Sequence, residues 1–219
     1  NVEVYDRKKS TEIEGNSKGI THLSEDPTIN EYDRKAFKFD RLMPLLSANL
    51  NPDDGLFFGG GFLYVKHAWR KLPFASKHTL TANGALATGS FNVEYEGIFT
   101  DILGKWDVRP AIIWQEPFFV NNFFGLGNES QFQKDQSIAP DDDAIDFYRT
   151  RMDRFQLDVD LIKNLGNKGQ FYIGSGFRTI DIKNTANRFI SSLPDQAFST
   201  NRYFTSKMGV SMDSRNSKV

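Results

Sequence analysis

The sequence predicts an all-β fold: about eight antiparallel strands of a β-barrel that crosses a membrane. Three observations carry that reading. Segment after segment alternates apolar and polar residues with a period of two. Almost nothing between those segments repeats with a helical period. The polar positions of the alternating segments collect charges of both signs. A period of two puts successive side chains on opposite faces of an extended strand, so each segment has one dry face and one wet face.

Residues 1–40 are polar without a sustained period and read as an N-terminal arm or linker ahead of a β segment over 41–219. RLMPLLSANL (41–50) reads as a short strand that Pro44 confines to an edge or a start. NPDDG (51–55) is a turn, since proline fixes one dihedral and glycine accepts the left-handed one. Strands are then expected at about 55–69, 77–88, 90–101, 105–116, 118–127, 147–163, 169–183 and 200–215. In FNVEYEGIF, Phe91, Val93, Tyr95 and Phe99 oppose Glu94 and Glu96. Further on, Trp106 and Trp114 oppose Asp107 and Arg109. Phe155, Leu157 and Val159 oppose Asp158 and Asp160. Arg178 and Lys207 sit on the polar faces of the last two segments.

The dry face points to a core in a soluble sandwich and to lipid in a membrane barrel. Three features favour lipid. Glu94, Glu96, Asp107, Arg109, Asp158, Asp160, Arg178 and Lys207 suit pairing across a polar lumen, with Phe91, Val93, Tyr95, Phe99, Trp106, Trp114, Phe155, Leu157 and Val159 outward. Trp106 and Trp114 share a face; at about 3.3 Å per residue and a tilt near 40° they lie roughly 20 Å apart along the barrel axis, close to the separation of two interfacial girdles. The connections at Thr88–Ser90, near Glu116–Pro117 and at Asn164–Lys168 are tight, while the alternate ones include the long segments 130–146 and 184–200. DILGK (101–105) is the exception, a short connection on the long-loop side.

Composition bounds the function classes. Among the 219 residues, 27 basic and 28 acidic side chains nearly cancel, which argues against nucleic acid as a partner. No cysteine is present, so disulfides, thiolate metal sites and cysteine nucleophiles are excluded. Twenty phenylalanines in a chain of mean hydropathy −0.49 mean that apolar surface is dispersed by alternation rather than held in blocks. The longest apolar run, LFFGGGFLYV (56–65), is far short of the roughly 20 residues that a spanning helix needs. No leader is visible and the chain starts at Asn1, which reads as a processed chain or a piece of a longer one.

No catalytic constellation emerges, and the chain reads as non-enzymatic with no cofactor. His22, His67 and His78 share no metal-ligand spacing. Asp141, Asp142 and Asp143 read as a solvated loop, since no EF-hand glycine or glutamate follows, and NPDDG reads the same way. Gly59, Gly60 and Gly61 precede no helix, so they cradle no phosphate and mark a bulge or a close backbone approach. No GxSxG elbow with a usable histidine occurs.

NPDDGLFFGGG (51–61), NNFFGLGNES (121–130) and VSMDSRN (210–216) resemble the barrel of the BamA-type outer-membrane assembly and translocation superfamily. The likeness is closest to the Bacteroidetes branch, in which the barrel follows a metallophosphoesterase-like domain. It covers about residues 41–219. The resemblance implies the N-terminal half of a sixteen-stranded barrel in the outer membrane of a Gram-negative bacterium. It also implies membrane lipid, other envelope proteins or the remainder of the barrel as partners, and it singles out the segment Phe123, Phe124, Gly125, Gly127 and Asn128 as a turn motif. The metal motifs of the partner domain are absent here, since Gly127, Asn128 and Glu129 lack the following histidine. Two other functions stay open: a soluble or surface β-barrel or sandwich binding a hydrophobic ligand, and a passive porin-like channel.

Overall fold

A computed structural model describes residues 3–9, 20–25, 27–28, 30–31, 34, 38–51, 54–68, 71–128, 130–136, 143–166 and 168–213, with side chains for all of these but 3, 51 and 117–120. The chain divides into two compact units, 1–39 and 40–219.

In the first unit, β1 (Glu3–Arg7) and β2 (Ile20–Ser24) pair in parallel. Tyr5 stacks on His22 with ring centroids 4.5 Å apart. Neither strand stands out in the polar N-terminal sequence, because five residues give alternation too few positions to register.

The second unit is one antiparallel meander. β3 (Arg41–Asn51), β4 (Gly55–Lys66), β5 (Ser76–Ala85), β6 (Phe91–Phe99), β7 (Trp106–Asn122), β8 (Arg149–Leu165), β9 (Gly169–Ile182) and β10 (Asn201–Met212) lie side by side in chain order. Helical structure is confined to connections: α1 (Ala144–Tyr148) and two single 3₁₀ turns, Phe189–Ser192 and Asp195–Phe198. The expected all-β antiparallel sheet is therefore present, but it is open. β3 pairs only with β4 and β10 only with β9, so the described strands do not close on themselves as a barrel.

One strand boundary departs from the sequence reading. The segments expected at 105–116 and 118–127 form a single strand, β7, and no turn occurs at Glu116–Pro117. Between the pairs Gln115–Arg154 and Phe119–Met152, three residues of β7 face Asp153 alone, which is a bulge. Pro117 has no N–H to continue the ladder, so a bulge is how a strand carries it. β3 agrees with the strand read at 41–50: it is an edge strand in register with β4 from Arg41 to Asn51, and Pro44 pairs opposite Phe62 on that edge.

This merger re-sorts the connections. One end of the sheet carries 52–54, 86–90, 123–148 and 183–200, and the other carries 67–75, 100–105 and 166–168. The DILGK connection thus joins the short-turn end, and the tight turn near Thr88–Ser90 moves to the long-loop end.

Candidate functional site

Cross-strand partners share a face, so the pairing register assigns every strand residue to a side. One row runs Arg109, Asp160, Gly174, Lys207 across β7 to β10. A second runs Glu96, Ala111, Asp158, Gly176, Thr205, and a third runs Glu94, Ile113, Gln156, Arg178, Tyr203. With Asp107 two residues before Arg109, all eight charges expected to share a wet face do share one. The other face carries Val93, Trp114 and Phe155 in one row and Tyr95, Ile112 and Leu157 in the next. Phe91, Phe99, Trp106 and Val159 lie on that side as well.

The polar face carries several separate sets of paired polar side chains. Lys207 Nζ lies 2.8 Å from Asp160 Oδ1, and Arg109 Nε lies 3.9 Å from Glu96 Oε1. Asn92 donates to Glu94 at 3.0 Å, and Arg154, Gln156 and Asp158 are linked in series along β8. Asp107 has a different job: its carboxylate accepts the backbone N–H of Asp101 at 2.9 Å, closing the β6–β7 turn.

Glycine makes the Lys207–Asp160 pair possible. β9 lies between the two residues, and a Cβ built at Gly174 would sit 2.0 Å from Asp160 Oδ1 and 2.9 Å from Lys207 Cε. The neighbouring Gly176 leaves the same room between Asp158 and Thr205. At the opposite edge Ser47 of β3 donates to Asn83 of β5 across Gly59 of β4, where a Cβ would meet Asn83 Oδ1 at 1.9 Å. Ladder register through Gly59–Gly61 is continuous, so these glycines mark a close approach and not a bulge.

The apolar face is not covered. Buried apolar side chains among the described residues are Phe57, Ala85, Tyr148, Ile162 and Ile190. Register puts Phe57, Ala85 and Ile162 on the polar side, and Tyr148 and Ile190 lie in the connections. Among the described residues no core therefore lies against the apolar face. Leu46 is 92 % exposed, Phe204 85 % and Met208 72 %, all on that face. Its aromatic rings pack edge-on within the surface: Phe91 on Trp114 at 5.0 Å and Trp106 on Phe171 at 6.0 Å. His78 lies here too, hydrogen-bonded to Tyr95 Oη and Ser76 Oγ at 3.0 Å each, with its edge against Phe99.

Charge on this face is confined to its borders. At the long-loop border stand Glu116, Arg149, Arg151, Asp153, Asp181 and Arg202; at the short-turn border stand Lys66 and Lys163. Between them the described positions of that face hold no Asp, Glu, Lys or Arg.

A separate cluster forms in the long connections. Phe123 and Phe124 do not turn a hairpin; they open the 123–148 connection, where Phe123 N–H donates to Tyr148 O at 2.8 Å. Tyr148 packs against Phe124 at 5.0 Å and Phe189 at 5.3 Å, and Phe123 meets Phe189 at 5.9 Å. Gly125 has φ +120°, and its missing side chain leaves room for the Phe189 ring 3.8 Å from the Cβ position. Gly127 also takes a positive φ, and Asn128 is exposed. Nearby, Asp54 is fully buried and accepts from Arg151 at 2.7 Å and from Thr88 at 2.9 Å. A flat sheet would set β4 and β8 about 19 Å apart. The Asp54–Arg151 contact thus requires this end of the chain to fold back across the intervening strands.

Asp54, Arg151, Tyr148 and Phe189 are the residues that sequence reading missed. NPDDG reads as a solvated turn, yet Asp54 is inside; the one available signal is Arg151, unbalanced at the start of an alternating strand. The acidic stretch 141–142 and Glu129 lie outside the described residues, and Asp143 is exposed. No group of three His, Asp or Glu among the described residues is arranged to hold a metal ion. Among the described residues no helix is long and apolar enough to cross a membrane, which says nothing of strands. Comparison with protein-family models, with curated proteins and with solved structures finds no match to this chain.

Proposed function

We propose that residues 40–219 are a segment of an outer-membrane β-barrel of the BamA-like assembly and translocation type, with the charged face toward the lumen and the apolar face toward lipid. The observation that carries this reading is the apolar face itself, which is exposed, free of charge between its borders and bordered by charge at both ends. Water penalises such a surface at about 25 cal/mol per Å² of apolar area, whereas hydrocarbon does not. From Asp153 to Lys163, at about 3.3 Å per residue and a tilt near 40°, the axial span is roughly 25 Å, the height of the apolar band of outer-membrane barrels. Trp106 and Trp114 fall near its two limits, where indole rings favour the interface.

Two further features support a segment of a larger barrel. An eight-stranded meander with two open edges has unpaired backbone groups that a bilayer does not satisfy, so each edge needs another strand. The motifs at 51–61, 121–130 and 210–216 resemble the same superfamily. In this reading the work is mechanical and not catalytic. The mixed signs of Glu94, Glu96, Arg109, Asp158, Asp160, Arg178 and Lys207 keep the lumen wettable without selecting one sign of ion. That suits handling of polypeptide or lipid better than filtering of a single ionic species.

The test is size-exclusion chromatography with circular dichroism on this chain, with and without detergent. Aggregation in buffer with β-structure recovered in detergent supports the reading. A monodisperse β-rich monomer in plain buffer overturns it.

A further inference from the structure

The two borders of the apolar face differ in how their cations are engaged. At the long-loop border Glu116, Asp153 and Asp181 stand with Arg149, Arg151 and Arg202, and most cations there are already engaged: Arg149 by Asp146, Arg151 by Asp54, and Lys183, just beyond β9, by Asp153 and Asp181. At the short-turn border the charges are Lys66 and Lys163, both exposed, with no acidic side chain paired to either among the described residues. Of the acids at this end, Asp40 accepts from His67 N–H at 2.7 Å and Asp107 accepts from the β6–β7 turn, while Asp101 lies exposed in that turn. Lys105 and Lys168, exposed in the adjoining connections, add to the positive side. Lys163 Nζ stands 5.4 Å from the Trp106 ring centroid, and Lys66 follows Tyr64 along β4. Lys163 is therefore set beside an aromatic ring of the kind that seats at the headgroup level, and Lys66 shares a face of β4 with another.

We infer that the short-turn border, through Lys66 and Lys163, binds the phosphate of anionic phospholipid headgroups. The inference rests on the membrane reading above and adds which leaflet chemistry each end of the sheet meets. Lysine suits the role because its stem lies along apolar surface while the ammonium reaches the interface. Trp106 holds the Lys163 ammonium near the plane where the phosphates lie. The long-loop border, with its carboxylates, offers no equivalent site.

The experiment refolds the full chain into vesicles of phosphatidylcholine alone and of phosphatidylcholine mixed with phosphatidylglycerol, then titrates with urea at low and high salt. The expected result is a more stable fold with phosphatidylglycerol, by about fivefold in the folding equilibrium per lysine, the scale of one basic residue at an anionic surface, and a smaller gain at high salt. Lys66→Gln with Lys163→Gln loses that gain while folding as before in phosphatidylcholine, and Lys66→Arg with Lys163→Arg keeps it. Equal stability of the wild-type chain in both vesicles overturns the inference and leaves the membrane reading standing. A gain that survives the double glutamine variant also overturns it. Failure to fold in either vesicle overturns the membrane reading, and this inference with it.

Discussion

The same residue type meets opposite surroundings in two parts of this molecule. In the long connections, Phe123, Phe124, Phe189 and Tyr148 turn inward on one another, and Tyr148 is 2 % exposed. On the sheet, Phe58, Phe62 and Phe204 stand out from a surface that nothing in the described chain covers. The connections bring their own partners, because loops from two hairpins converge on one spot. A single-layered sheet has no second layer to offer, so what buries its apolar face must come from outside it. Burial inside the chain and burial by the surroundings are thus separable here, and substitutions distinguish them.

The largest expected effect falls in the loop cluster. Tyr148→Ala removes a buried ring and its hydrogen bond to Gln133 N–H, a loss of about 3–5 kcal/mol to the local fold. Limited proteolysis should show faster cleavage within 123–148 with the sheet's circular dichroism unchanged. Loss of the whole sheet signal would mean that the cluster is not an independent unit.

Leu157→Arg, in the middle of the charge-free face, should cost about 2–4 kcal/mol in lipid vesicles by urea titration. An unchanged midpoint would show that Leu157 does not meet hydrocarbon. Asp54→Asn leaves Arg151 facing a neutral amide and should cost about 1–3 kcal/mol, read as increased hydrogen exchange in the 86–90 turn. No change there would mean that the turn is held without the Asp54 charge.

The smallest effect concerns Lys183→Ala, at an exposed pair worth about 0.2–1 kcal/mol. The hydrogen bond to Asp153 raises the Lys183 pKa above that of free lysine. Its stabilisation is therefore complete below the ordinary lysine value of about 10.4 and fades as pH rises through the higher folded value. Wild type and variant should converge in alkaline vesicle titrations; a difference that persists there would assign the effect to packing of the lysine stem.

How much of this was legible follows from the physics of each part. Which side chains share a face was readable for FNVEYEGIF and for residues 155–160, because a period of two needs only local sequence. Pro117 was misread as a turn, since proline after Gln115 and Glu116 suits a turn as well as a bulge, and only the partner strand decides. The Phe123–Phe189 contact was illegible: the residues lie far apart in sequence and obey no period. Gly174 and Gly176 alternate like any strand position, and their purpose shows only when Asp160 and Lys207 are seen reaching over the first and Asp158 and Thr205 flanking the second. Closure was not readable either, because edge pairing is a property of strands taken together.

The glycine gaps leave the two edges held by different physics. Over β9 the bridge is an ion pair, Lys207 to Asp160; over β4 it is a neutral hydroxyl–amide bond, Ser47 to Asn83. Dissolved ions weaken the first and barely touch the second. Ionic strength thus acts as a lever on the β10 side alone, loosening one margin of the sheet while its counterpart stays fastened.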